Sequence, residues 1–195
     1  MTGVIILAAG ASSRMGQPKQ ILIYQQQTLL YRAVQAAVKL VNTYVIVVVG
    51  ANQAVVITPE LSNASITIVH NPDWQQGMAS SVSAGIKRLI AEHPTVQNVL
   101  LMLCDQPFVD TMLLQKLIDA KEANNGHIIA SAYQNTEGAP VLFDRKYVPE
   151  LMALKGQEGA KKLLGKYKNE VISVPFEQGA IDIDTPEDYK RLVNS

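Results

Sequence analysis

The 195-residue chain has a single cysteine, Cys104, so no disulfide can form within it, and a reducing, cytoplasmic setting is the expectation. It has no excess of either charge: Lys plus Arg number 17 and Asp plus Glu number 17. With that balance and no long basic run, nothing calls for nucleic acid or an anionic membrane as partner. No stretch approaches the ~20 apolar residues of a membrane helix. The apolar N-terminal run lacks a basic flank and breaks at Gly10, which reads as a first strand and not as a signal peptide. Both standard phosphate fingerprints are missing, G-x-G-x-x-G and G-x-x-x-x-G-K-[ST] alike, which disfavours a dinucleotide dehydrogenase and a P-loop kinase. There is no internal repeat, low-complexity segment or linker.

The chain does hold 48% apolar and 17% charged residues, the balance of a globular protein, and its length fits one domain over residues 1–195. Its most informative stretch is VIILAAGASSRMGQPKQ, from Val4 to Gln20. An apolar run stops at Ala8-Ala9-Gly10, a small-residue segment follows, and then come Arg14, Gly16, Pro18 and Lys19. Small residues let a ligand approach bare backbone N–H groups, and two nearby cations make that ligand an anion, as a triphosphate would be.

Apolar runs at Val4–Ala9, Tyr44–Val49, Ile66–Val69, Val99–Leu103, Ile128–Ala132, Ala139–Phe143 and Val171–Val174 read as strands. Between them, helical spacing predicts helices over Leu29–Leu40 behind Thr28, from the Gly77–Ser83 segment to Glu92, and over Thr111–Asn124 behind Asp110. Shorter helices are expected at Ala51–Ile57, Arg145–Ala153 and Glu158–Tyr167, and Pro186 opens a last one. This alternation means α/β architecture: a three-layer, open, mostly parallel sheet of Rossmann-like type. Ligands in such sheets bind at the carboxyl ends of the strands, where Ala8–Gly10 and Asp105 fall.

Asp105 ends a strand with no polar side chain, and it could cap the next helix or bind Mg²⁺, though Asp110 is better placed for capping. Asp182 and Asp184 are spaced to share a side of an extended segment, so either could add a second carboxylate, while Asp184 or Thr185 could instead cap the last helix. In Gly77–Ser81, Ser80 reads as a helix cap, Gly77 lets a base or ribose approach, and Ser81 offers a hydroxyl. Trp74 and Met78 read as packing or as a wall for a second substrate. Gly138–Phe143 and Gly156–Lys162 suggest further parts of that wall, the latter equally readable as a glycine link between helices. Cys104 reads as a small buried residue, and His70 as a candidate to line the cleft.

The motifs L-A-A-G-x-S-x-R-M-G-x-P-K, N-P-x-W-x-x-G-M-x-S-S-V, C-D-Q-P-x-V, G-x-P-V-L-F and D-I-D-T-P-E-D follow one another along nearly the whole chain. In this the sequence resembles the molybdenum cofactor cytidylyltransferase-like (MobA-like NTP transferase) family. The resemblance implies a nucleotidyltransferase with the nucleotide-diphospho-sugar transferase type of fold. It implies a nucleotide site of Leu7, Ala8, Ala9, Gly10, Arg14, Lys19, Gly77 and Ser81, with Arg14 and Lys19 neutralising phosphates. It implies a metal held by Asp105 and Asp184, Mg²⁺ or alternatively Mn²⁺, and a catalytic set of Arg14, Lys19 and Asp105. CTP as donor, molybdopterin or molybdenum cofactor as acceptor, and a client molybdoenzyme are its implied partners. A sugar phosphate or other phosphorylated acceptor is one alternative, and a non-catalytic cofactor-binding maturation factor is another.

Overall fold

Runs such as Ile5 to Ala8 and Val45 to Val49 carry no polar side chain because both faces of their strands are covered. In the structure, a computed structural model that describes residues 1–194, the chain runs β1 (Thr2–Ala8), β2 (Ile23–Tyr24), β3 (Gln27–Thr28), α1 (Leu29–Val38), β4 (Thr43–Val49), α2 (Gln53–Val56), α3 (Pro59–Ser62) and β5 (Thr67–His70). It continues through α4 (Met78–Glu92), β6 (Asn98–Leu103), α5 (Thr111–Asn124), β7 (Ile128–Tyr133), β8 (Thr136–Asp144), α6 (Val148–Met152), α7 (Ala160–Lys166), β9 (Val171–Pro175) and α8 (Pro186–Val193).

Seven strands form one sheet in the order β5-β4-β1-β6-β8-β7-β9. β1 is an inner strand, parallel to β4 on one side and to β6 on the other, with Ile5 level with Ile46 and Leu101. The sheet is mixed, because β8 runs antiparallel to both β6 and β7. The chain builds outward from β1 through β4 to β5 and then returns to β6 on the other side of β1. That reversal puts a crevice between the carboxyl ends of β1 and β6.

Alternate strand residues feed two cores. Val4, Ile6, Val47 and Leu100 pack under α1 and α5, through Val34, Ala37, Leu114 and Leu117. Ile5, Ile46, Val48 and Leu101 pack under α4, α6 and α7, through Val82, Ile86, Leu151 and Leu163. A smaller third cluster joins Met15, Leu22 and Leu29 to Ile183 and Leu192 of the C-terminal segment. Three expected caps are present: Thr28 accepts from the Tyr31 N–H, Asp110 from the Leu113 N–H, and Thr185 forms a capping box with Asp188. None of the helices among the described residues is long and apolar enough to cross a membrane.

Some expectations need correction. Ser80 is not the cap of α4. Gly77 holds that position, and Ser80, inside the first turn, donates to the carbonyls of Asp73 and Gly77. β8 starts at Thr136, before Gly138, because a register shift between Ala130 and Ser131 of β7 takes up the irregular Gly-Ala-Pro stretch. The helix expected at Arg145–Ala153 is a 3₁₀ turn, Arg145–Tyr147, followed by α6, whose first turn holds Pro149. The β2–β3 ribbon turns on Gln25 and Gln26 at φ 49° and 67°, with none of the glycine or asparagine that normally marks such a turn.

Leu100 is fully buried between the sheet and α5, so Leu100→Ala should cost roughly 3 kcal/mol in a urea titration. Val41, 87% exposed, should change stability by less than about 0.5 kcal/mol when replaced by Ser.

Candidate active site

The crevice at the end of β1 is a cleft of about 430 Å³. Every residue of the expected site lines it: Leu7, Ala8, Ala9, Gly10, Arg14, Lys19, Gly77, Ser81, Asp105 and Asp184. Beyond β1 the loop leaves the sheet and closes a tight turn in which the Met15 N–H donates to the Ser12 carbonyl at 3.0 Å. Ser12 itself is held at φ 56°. Among the described residues, the backbone N–H groups of residues 10 to 14 find no protein acceptor, and all five residues line the cleft. A Cβ on Gly10 would meet nothing within 4 Å, so this stretch of backbone is open to a ligand. Bare amides beside two cations form an anion cradle.

Lys19 and Arg14 already have partners. Lys19 Nζ donates to Asp105 Oδ2 and, at 2.9 Å, to Asp184 Oδ1. Arg14 Nη2 donates to Asp184 Oδ2 at 2.8 Å. Burial by itself would depress the Lys19 ammonium, but the charge of Asp105 and hydrogen bonds to both carboxylates outweigh it and hold its pKa above the usual lysine value. The Lys19 hydrogen bond, aided by the charges of Lys19 and Arg14 and opposed by partial burial, keeps Asp184 below the usual carboxylate range. The second oxygen of Asp105, Oδ1, is buried with no hydrogen-bond partner. A carboxylate that lines a cleft and keeps one oxygen without a protein partner is a fitting ligand for a hard cation.

The backbone brings the two carboxylates together: the Ile183 N–H donates to the Asp105 carbonyl at 3.1 Å, setting Asp184 beside β6. Thr185 is the cap of α8, so Asp184 is left to the cleft. Asp182 does not line the cleft and instead borders a second cavity with Phe108 and Arg191. Desolvation first, then the charges of Asp105 and Asp184, push Asp182 up to about 6. No group of three or more His, Cys, Asp or Glu side chains that could hold a metal occurs among the described residues, so the candidate cation site is a carboxylate pair.

Gly77 is required for a reason beyond ligand access. Its φ is +103°, and a Cβ there would lie 2.3 Å from the Gly156 carbonyl oxygen. The same carbonyl accepts from the Ala79 N–H at 3.1 Å, which docks the 156 turn onto the start of α4. Ser81 is buried, and its hydroxyl accepts from Asn71 Nδ2 at 3.0 Å. Trp74, Met78 and Gln157 complete that wall of the cleft.

Two expected wall segments contribute less. Gly138–Phe143 does not line the cleft, and a Cβ on Gly138 would strike the Tyr133 hydroxyl, so that glycine serves packing. In 156–162, Gln157 alone lines the cleft, and Lys162 is paired with Glu158 at 2.5 Å. His70 does not line the cleft, and Cys104 is buried with its thiol pushed up to about 12 by desolvation, no state for a nucleophile. Two residues that sequence reasoning left without a role belong to the site. Asn71 ties Ser80 and Ser81 to the loop after β5, and Gln20, 1% exposed, is bonded to the anion loop. The only sign of Gln20 was an uncharged polar residue placed just before the apolar Ile21-Leu22.

The chain matches the MobA-like NTP transferase domain over residues 4–171. It is 28% identical to the molybdenum cofactor cytidylyltransferase of Escherichia coli K12, over 95% of this chain and 92% of that protein. It is 32% identical to the nicotine blue oxidoreductase of Paenarthrobacter nicotinovorans, over 99% of this chain and 96% of that protein. Among solved structures, Rv0371c of Mycobacterium tuberculosis H37Rv superposes with a TM-score of 0.80 at 30% identity, covering 100% of this chain and 97% of that one. A manganese complex of Rv0371c gives 0.76 at 27% identity, covering 100% and 98%. The match over most of the chain, on a sheet that sets an anion cradle against a carboxylate pair, makes this protein a member of the MobA-like NTP transferase family.

Proposed function

We propose that the whole chain works as one NTP transferase domain that moves CMP from CTP to molybdopterin and releases pyrophosphate. The observation that carries the reading is the set of amides at residues 10 to 14, without acceptors among the described residues, that lines one cleft with Arg14, Lys19 and Asp105. In this reading the triphosphate lies on those amides, Arg14 and Lys19 hold the β and γ phosphates, and Gly77 and Ser81 border the ribose and base. An oxygen of the acceptor's phosphate forms the new bond to the α-phosphorus. The bond from that phosphorus to the bridging oxygen breaks, and pyrophosphate leaves with the electron pair. An ionised acceptor phosphate needs no general base. Arg14 and Lys19 stabilise the charge that builds on the leaving group.

Asp105 and Asp184 would hold Mg²⁺, or Mn²⁺ in its place, and the ion would supply positive charge against the phosphates and Lewis-acid polarisation. A carboxylate pair suits such an ion when phosphate oxygens and water complete its shell. The manganese complex of the structural neighbour Rv0371c supports a divalent ion in general. The acceptor follows the cytidylyltransferase relative, and a molybdoenzyme is then the client for the product.

The 32% relative named as an oxidoreductase favours a second reading, a reductase that takes a pyridine dinucleotide in the same cleft without the G-x-G-x-x-G fingerprint. The readings separate on the carboxylates, because hydride transfer needs no metal pair. NADH or NADPH binding tighter than any NTP in the presence of Mg²⁺, measured by calorimetry, would favour the reductase.

Asp105→Asn should keep the fold and lower turnover by roughly 10²-fold or more, followed as pyrophosphate release with CTP, Mg²⁺ and molybdopterin. Full activity in that variant would remove Asp105 from the metal site. In the chain without nucleotide, Lys19 competes with a metal for both carboxylates. Lys19→Met should therefore tighten Mn²⁺ binding roughly tenfold in the absence of nucleotide, read by electron paramagnetic resonance of free Mn²⁺, while weakening CTP.

A further inference from the structure

Gln20 follows Lys19 in a 3₁₀ turn, yet its side chain points back under the anion loop and is 1% exposed. Its amide nitrogen donates twice, to the Ala8 carbonyl at 2.8 Å and to the Gly10 carbonyl at 3.0 Å. Its Oε1 accepts from the Ser12 hydroxyl at 3.4 Å, and Ser12 Oγ accepts from the Lys19 N–H at 3.0 Å. One side chain therefore ties the end of β1, the middle of the loop and the residue that carries the ammonium into a closed network. Asn52 Nδ2 reaches the Gly10 carbonyl only at 3.4 Å and does not touch Ala8.

In a trans peptide the N–H points opposite to the C=O. A Gly10 carbonyl held inward by Gln20 therefore turns the Ala11 N–H outward, and Ala11 lines the cleft. Ser12 is held at φ 56°, a conformation that L residues keep only where their surroundings enforce it. Its hydroxyl, fixed between Gln20 and the Lys19 backbone, supplies that enforcement. The Ala11 amide and the Ser12 turn thus owe their setting to one buried side chain at the edge of the cleft.

We propose that Gln20 is a positioning residue for the nucleotide: it aims the amides of the 10–14 loop and sets the reach of Lys19, without carrying charge or chemistry itself. This rests on the nucleotidyltransferase reading above. Removing its two donors while keeping its length takes that partner from the Ala8 carbonyl and leaves the Gly10 carbonyl only the long contact with Asn52, so the loop must rearrange to find water.

The test compares wild type, Gln20→Met, Ser12→Gly and Thr28→Ala. Thr28→Ala uncaps α1 away from the cleft and serves as a stability control. CTP binding with Mg²⁺ is measured by calorimetry and thermal unfolding by circular dichroism, with UTP, ATP and GTP in parallel. Gln20→Met should weaken the preferred NTP roughly tenfold or more, and Ser12→Gly several-fold, whereas Thr28→Ala lowers the melting temperature and leaves affinity unchanged. In turnover, the Gln20→Met loss should fall on KM for the nucleotide more than on kcat. Wild type that binds an NTP, with Gln20→Met binding it within about twofold, overturns the inference and leaves the reading of the site intact. Should Gln20→Met fail to fold, unchanged affinity in Ser12→Gly overturns it equally. Wild type that binds none of the four nucleotides overturns the reading itself, and the inference with it.

Discussion

The ammonium of Lys19 holds the site together. It sits between two carboxylates that come from distant parts of the chain, Asp105 at the end of β6 and Asp184 just before α8. Two like charges brought that close would repel, and Lys19, backed by Arg14 on Asp184, offsets the repulsion. The pairing of Lys19 with Asp105 is well shielded, both side chains being less than one-fifth exposed, whereas Arg14 is 71% exposed and contributes less to stability. The anion loop, the central strands and the C-terminal segment all have to be in register for this cluster to form. Two cations and two carboxylates thus form one cluster of matched charge at the floor of the site.

Much of this was legible in the residues. The apolar runs marked the buried strands, and the motifs after β1 and β6 marked the crevice, because a strand end in a parallel sheet is where function collects. All ten expected site residues line one cleft, although the 14–19 stretch and Asp184 are about 170 positions apart in the chain, a gap that only the motif order could bridge. What could not be read was of two kinds. Some features depend on backbone geometry that residue type does not announce, as with Gln25 and Gln26 turning the β2–β3 ribbon in left-handed conformations. Others depend on which atom faces which. Gly77 reads as room for a ligand, yet its missing side chain is also demanded by the Gly156 carbonyl. Gln20 gave no more than a faint signal, since its two carbonyl partners come together only once the loop has closed.

Family membership fixes the scaffold and the broad chemistry more firmly than the substrate. Relatives of similar likeness carry names as different as a cytidylyltransferase and an oxidoreductase. The features that face a nucleotide are built from backbone amides and short side chains, which select for phosphate and say little about the base. Ala9 illustrates this: it is buried with Ile5, Val48 and Val82, and a Cβ on Gly50 would lie 2.9 Å from its methyl group. Trp74, Met78 and Ser81 bring larger and polar side chains to the same cleft.

The small apolar cluster of Met15, Leu22, Leu29, Ile183 and Leu192 has a consequence for how proteins of this type are compared. The family match ends at residue 171, before Asp184 and before both of the C-terminal residues that plug the underside of the anion loop. The best-recognised part of the chain is thus mechanically incomplete. Its phosphate-facing loop rests on a tail that the family signature does not include, so divergence in that tail can retune the loop while the signature stays the same.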